Sequence, residues 1–236
     1  MCNKVKFHRI GIAKRLILVR KYEKAKSLLR PLANNNNAEA QLLLGYLYYG
    51  GDPNTTVKES KCWLEKSAKN KNPEALALLA STNYKSSYWS NEPENRKSFL
   101  LTLKAANMGS VEAQRSLACA YAHGDTVPQD DIKTMYWDEK AAKQGLAESQ
   151  NDLALMLLYG VGCEVDAEKA IYWYQESARK DHNVPYAQWA AEALARIFHG
   201  EPYKELTDLN QSKYWEKRAQ YLSGLEFRGH PDWFYK

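Results

Sequence analysis

Apolar and small residues return along this chain with a helical spacing, and the whole pattern then repeats. In Asn37-Ala-Glu-Ala-Gln-Leu-Leu-Leu-Gly-Tyr-Leu-Tyr-Tyr-Gly-Gly51, the residues Ala40, Leu44, Leu47 and Tyr48 share one face of a helix. Weaker copies stand at Pro73–Ala80, Val111–Ala118 and Ala147–Ala154. Their first small residues, Ala40, Ala75, Ala113 and Ser149, are 35, 38 and 36 positions apart. A second marker keeps the same register: Trp63, Phe99, Trp137, Trp173 and Trp215, with steps of 36, 38, 36 and 42. A third closes each unit with a small pair: Ser67-Ala68, Ala105-Ala106, Ala141-Ala142 and Ser177-Ala178. Self-similarity at such a period marks a repeat architecture.

Each unit reads as two helices. The first carries Ala, Leu and Gly at helical spacing and ends at Gly50-Gly51, Gly124 or Gly160, residues free to take a positive φ. Asn91, Asp130 and Asp166 open the second as N-caps. Small residues at Gly45, Ala80, Ala118 and Ala154 let two helices approach closely, and the Trp or Phe of the partner helix is expected to fill the gap between units. One helix pair cannot hide its apolar face alone, so the units must stack. The expected organisation is one domain, 1–236: a degenerate cap at 4–36, repeats at 37–71, 72–109, 110–145, 146–182 and 183–224, and a tail at 225–236. The unit 72–109 lacks a Gly after its first helix and has the loop Ser86-Ser-Tyr-Trp-Ser-Asn91; the unit 183–224 has a register ambiguous by about two residues.

The segment Leu157-Leu-Tyr-Gly-Val-Gly162, followed by Asp166-Ala-Glu-Lys-Ala170, Trp173 and Ser177-Ala178, resembles the Sel1-like repeat, a relative of the tetratricopeptide repeat with a longer loop in the hairpin. Tyr121-Ala-His-Gly124 through Trp137 and Ala141-Ala-Lys-Gln-Gly145 is similar. The resemblance covers residues 37–224. It implies an all-α fold, a right-handed α/α superhelical solenoid of about five repeats behind a degenerate N-terminal helix pair. It further implies that the first helices line a concave groove. By that mapping the groove positions are Glu39, Leu42, Tyr46 and Tyr49; Glu74 and Tyr84; Glu112, Arg115 and Cys119; and Glu148, Asn151 and Leu155. Tyr and Arg at such positions are habitual interface anchors.

Composition sharpens this picture in three places. Residues 1–30 hold ten Lys or Arg against Glu23 alone, a net +9 that leaves −4 for the rest of a chain whose total is +5. The basic start suits an acidic surface, an anionic membrane or the solvated faces of terminal helices. The groove column Glu39, Glu74, Glu112 and Glu148 repels phosphates and favours a basic protein, so nucleic acid is not expected as the ligand. The four cysteines, Cys2, Cys62, Cys119 and Cys163, form no CxxC, which predicts reduced thiols and a cytoplasmic chain; the alternative is a periplasmic or lipid-anchored protein with Cys2 as the mature lipoprotein cysteine.

Chemistry is sparse. The five histidines show no metal-ligand spacing, and Cys119 with His123 supplies only two ligands. No phosphate-loop or zinc-hydrolase motif is present; Gly160-Val-Gly162 reads as a repeat loop, and Asp130-Asp131 as a helix start. No apolar run reaches the ~20 residues of a membrane span. Neither cofactor, metal nor catalytic residue is expected. The expectation is a monomeric, non-catalytic adaptor or scaffold binding one protein in its groove. The resemblance implies an alternative, a bacterial immunity protein neutralising a secreted toxin. More remote is a hydrolase akin to the cysteine-rich members of the family, whose one disulfide per repeat this chain lacks.

Overall fold

The computed structural model describes residues 2–51, 57–82, 93–124, 127–181 and 183–225. All described regular structure is helical, and the chain divides into two compact units, 1–117 and 118–236. The expected Asn91 cap, the loop 86–91 and the tail beyond Leu225 lie outside the described residues.

The first unit runs α1 (Cys2–Leu18), α2 (Tyr22–Asn34), α3 (Ala38–Tyr46), a π-helical turn (Leu47–Gly51), α4 (Val57–Lys69), α5 (Pro73–Thr82) and α6 (Pro93–Asn107). Helix α7 (Val111–His123) carries the boundary between units, after Leu117. Sequence neighbours pack on one another throughout α1 to α6. The basic N-terminus is thereby a true helix pair: Ile10, Ala13 and Ile17 of α1 are buried with Ala25, Leu29 and Ala33 of α2. Asn37 caps α3, its side chain accepting from Ala40 N at 2.8 Å, and Asn72 does the same for Ala75 N in α5 at 3.0 Å.

The second unit continues with α8 (Asp131–Lys143), α9 (Ala147–Tyr159), α10 (Ala167–Ala178), α11 (Val184–His199), a 3-10 turn (Lys204–Leu206) and α12 (Leu209–Ser223). Asp130 and Asp166 cap α8 and α10 as the sequence indicates, each accepting at 3.0 Å from the backbone N–H three residues on. The paired lysines Lys133 and Lys169, with those backbone donors, hold both aspartates below the usual carboxylate range. Asp208 caps α12 in the same manner. Gly124 and Gly160 stop their helices at φ +76° and +70°.

Close approach explains Gly45: a Cβ there would lie 2.5 Å from the buried Leu64 side chain, which would have to move for α3 and α4 to stay this close. The aromatic marker is less uniform than its spacing suggests. Trp137 and Trp215 are buried at 6% exposure, yet Trp63 and Trp173 are half-buried, and the next residues, Leu64 and Tyr174, fill the interior. An amphipathic helix places adjacent residues about 100° apart, so either neighbour can point inward.

Polar residues tie consecutive pairs together. Gln41, Gln114 and Gln150 each donate a side-chain amide to the carbonyl eight residues earlier, of Ala33, Ala106 and Ala142, at 2.9, 3.2 and 3.1 Å. Ser67 and Ser177 donate back to the first helix of their own unit, at the carbonyls of Ala38 (2.7 Å) and Ala147 (3.1 Å). Each bond contributes a net ~1 kcal/mol, and more is lost if one partner is left buried without the other. The sequence displays these Gln and Ser residues at repeat spacing, but only the contacts reveal that they latch helices together.

Candidate functional site

Within the first unit the mapped groove positions divide by role. Leu42 is 3% exposed, on a helix that both α2 and α4 pack against. It is a core residue and offers no binding surface. Glu39 pairs with Lys14 at 3.1 Å. Tyr46 is half-buried, and Tyr49 is exposed, with Ser81 Oγ donating to its hydroxyl at 3.4 Å. The Glu74 carboxylate accepts from Ser110 Oγ at 2.8 Å and Val111 N at 3.0 Å. It therefore stabilises the start of α7, where a carboxylate meets the positive end of the helix, and the acidic column is partly structural. Glu112 and Arg115 are half-buried. Tyr84 lies outside the described residues.

In the second unit Cys119 is half-buried and its carbonyl meets His123 Nδ1 at 2.8 Å. Glu148 is half-buried. Asn151 is 8% exposed, and its amide donates to Tyr186 O at 2.8 Å, tying α9 to the start of α11. Asn151 is thus mainly a packing residue at the edge of a cleft rather than a free surface group. Leu155, one turn further along α9, is half exposed.

That cleft, of about 350 Å³, runs between α9 and α11. Leu155 and Tyr159 line it from α9, each 50% exposed, and Trp189 from α11, 57% exposed. Three large apolar side chains left so open on one cleft are unusual, since scattered single ones are the norm. The Tyr186 ring meets Trp189 edge-on at 5.3 Å and fixes the indole. Around this apolar strip stand Asp152, Glu192 and Glu201 against Arg196, a net charge of −2, with Arg196 Nε 3.4 Å from Glu201 Oε2. Tyr203 donates its hydroxyl to the carbonyl of Leu158, one of the lining residues, at 3.0 Å. Of this lining, the sequence mapping names Asn151 and Leu155, as positions of the expected concave groove, and does not name Tyr159, Trp189, Glu192 or Arg196. The register of the last repeat was ambiguous, and an exposed Trp has no signature distinguishing it from a core one.

Tyr174 forms the floor. Burial, reinforced by the Tyr159 hydroxyl and Asp152, pushes its pKa up to about 12. An unfolded tyrosine ionises near 10, so the unfolded state loses its proton first and stability falls as pH rises from 10 to 12. The loss is at most about 1.4 kcal/mol per pH unit. Thermal melts across that window should show a steeper decline for the native chain than for Tyr174→Phe; parallel curves would contradict the burial of the hydroxyl.

Among the described residues, no group of three or more His, Cys, Asp or Glu is placed to hold a metal ion, and no helix is long and apolar enough to cross a membrane. Cys62, Cys119 and Cys163 are thiols; burial raises the pKa of Cys163 and keeps it protonated.

Comparison with known proteins is consistent with this architecture. The Sel1 repeat pattern matches residues 38–72, 111–146 and 147–182. An uncharacterized protein of Neisseria meningitidis serogroup B is 32% identical over 108 residues, 46% of this chain and 22% of that protein. The match thus spans about a fifth of the length of that relative. The crystal structure of a Sel1 repeat protein from Oxalobacter formigenes is similar in fold, with a TM-score of 0.71 and 22% identity over 92% of this chain and 87% of that one. An immunity protein of Pseudomonas aeruginosa, PA5088, superposes with a TM-score of 0.61 and 18% identity over 94% of this chain and 87% of its own.

Proposed function

The chain is a Sel1 repeat protein, and from that premise we propose that it is a non-catalytic module that binds another protein in the α9–α11 cleft. The observation carrying this reading is the strip formed by Leu155, Tyr159 and Trp189, half or more exposed beside an acidic rim. A partner segment with an apolar anchor and flanking basic side chains complements both features. Aromatic anchors flanked by charge fit the usual anatomy of interface centres.

The test starts with partner capture on the immobilised protein from its source organism, identification by mass spectrometry, and titration of the purified pair. Trp189→Ala should weaken binding by about thirtyfold or more, the effect of losing a hot spot worth roughly 2 kcal/mol. Leu155→Arg, which places a like charge against a basic partner, should abolish it. Both side chains are exposed, so helical content and melting should hold. Undiminished affinity in both variants would remove the cleft from the proposal.

A second reading, that the partner is a toxin and binding neutralises it, is supported by the similarity in fold to the P. aeruginosa immunity protein along most of both chains. Co-expression distinguishes the two readings: an immunity protein restores growth to cells producing the captured partner, and the Leu155→Arg variant does not. Growth that is unaffected by the partner leaves the adaptor reading standing alone.

A further inference from the structure

The repeat 72–109 breaks the latch pattern of its neighbours, and a cleft lies at the break. Gln41, Gln114 and Gln150 all donate to the carbonyl eight residues earlier. The matching residue of α5 is Leu76, which has no donor, and the matching carbonyl is that of Ala68 at the end of α4. The turn bond at that carbonyl is retained, from Lys71 N at 3.0 Å, as Ala33, Ala106 and Ala142 retain theirs from Asn36, Gly109 and Gly145. Only the side-chain amide is gone. Leu76 and Ala68 now line a cleft of about 650 Å³ between α4, α5 and α6.

Its walls are of two kinds. Ala68, Leu76, Leu79 and Met108 make an apolar floor, with Met108 40% exposed. Lys69, Lys71 and Lys104 surround it against Glu65 alone, a net charge of +2. Lys69 and Lys104 stand in the last turns of α4 and α6, where a cation is favoured by the helix dipole. The dipole does not explain Lys71, whose backbone sits at φ +61°. The equivalent positions are Asn36 (+58°), which tolerates this region, and Gly109 (+97°) and Gly145 (+94°), which adopt it without cost. Lys71 thus brings a charge to the cleft where two other repeats use glycine; the backbone itself is shared with Arg20 (+57°) in the turn between α1 and α2.

We propose that this cleft binds an acidic peptide segment, seating one or two large apolar side chains on Leu76 and Leu79 while flanking carboxylates pair with Lys69, Lys71 and Lys104. Charge selects the ligand: the site is opposite in sign to the α9–α11 cleft, so one kind of segment does not suit both. The inference stands apart from the proposed function, because neither cleft shares a residue with the other.

Fluorescence anisotropy with the full chain and three labelled hexapeptides tests it: DELFDE, its basic counterpart KRLFKR, and DESSDE, which lacks the apolar anchors. DELFDE should bind at low salt, with the other two at least about tenfold weaker. Leu76→Gln restores the amide that Gln41, Gln114 and Gln150 supply in three other repeats. It should raise the melting temperature through a bond to Ala68 O, and weaken DELFDE by about tenfold or more by filling the floor with a polar side chain. The double variant Lys69→Glu, Lys104→Glu should fold and lose DELFDE binding. Failure of DELFDE to bind, equal binding of KRLFKR, or an unaltered affinity in Leu76→Gln each overturns the site. A fatty-acid anion such as laurate that binds more tightly than DELFDE overturns the peptide as its occupant.

Discussion

Replacing Leu194 with alanine is expected to cost about 2–5 kcal/mol of stability, the range for a buried leucine that leaves a cavity behind. Leu194 is fully buried in α11 within a cluster that includes Leu158, Tyr174, Ala191, Trp215 and Leu222. Residues from α9, α10, α11 and α12 meet there, so the methyl groups of one side chain serve several helices at once. The cavity has little chance to collapse, because Tyr174 and Trp215 are rigid rings and the neighbouring alanines have no side chain to extend into it. Against the 5–15 kcal/mol that holds a typical domain, this is a large share. Urea denaturation followed by circular dichroism measures it. In a repeat array, stability is a sum of units and their interfaces, so the variant should also lose cooperativity, with the last helices melting first. A loss below about 1 kcal/mol would mean that the cluster repacks and that the site is less constrained than its burial indicates.

The second large effect is expected at Gly162. Its backbone adopts φ +71°, and a Cβ there would sit 2.8 Å from the Asp131 carbonyl oxygen and 2.9 Å from its carbon. Alanine would pay about 1–2 kcal/mol for the left-handed conformation and a further ~1–3 kcal/mol to displace a backbone that has no rotamer to yield. Asp131 opens α8, next to its cap Asp130, so the displacement strikes at a helix start. Gly160 provides the control. It has a similar φ of +70°, but its nearest obstacle is the Val165 side chain at 3.0 Å, which can turn aside. Gly162→Ala should therefore lower the melting temperature clearly more than Gly160→Ala. Equal losses would show that the conformation alone matters and that the approach to Asp131 is looser than the structure has it.

These two sites illustrate what could be read without coordinates. The Gly160-Val-Gly162 loop was legible as the stop of α9, since glycine after a helix has a local meaning and both glycines adopt a positive φ. The caps Asp130 and Asp166 were legible for the same reason: an N-cap is a bond between residues three apart. The small pairs, such as Ala141-Ala142 and Ser177-Ala178, declared close packing because only small residues permit it. The aromatic markers misled in part. Trp63 and Trp173 kept the period while Leu64 and Tyr174 took the interior, because spacing fixes which turn of a helix carries a bulky residue and not which of two neighbours faces inward.

The candidate site was legible only at its edge. Leu155 is half exposed on α9, whereas Leu42 and Asn151, mapped by the same rule, are buried by neighbours the rule did not include. Trp189 and Tyr159 became visible as a strip only when α9 and α11 were brought side by side. By itself, then, the sequence determined the helical repeat and the caps at Asp130 and Asp166, because those depend on contacts within one repeat length. The tertiary structure decided which polar residues latch the pairs, which Glu closes a helix start, and which side chains are left facing an empty cleft. Those properties depend on how helices are packed side by side: Gln41 reaches Ala33 on the preceding helix only eight residues back, while Glu74 with Val111 and Asn151 with Tyr186 lie about a repeat apart, and no local pattern encodes any of these partners.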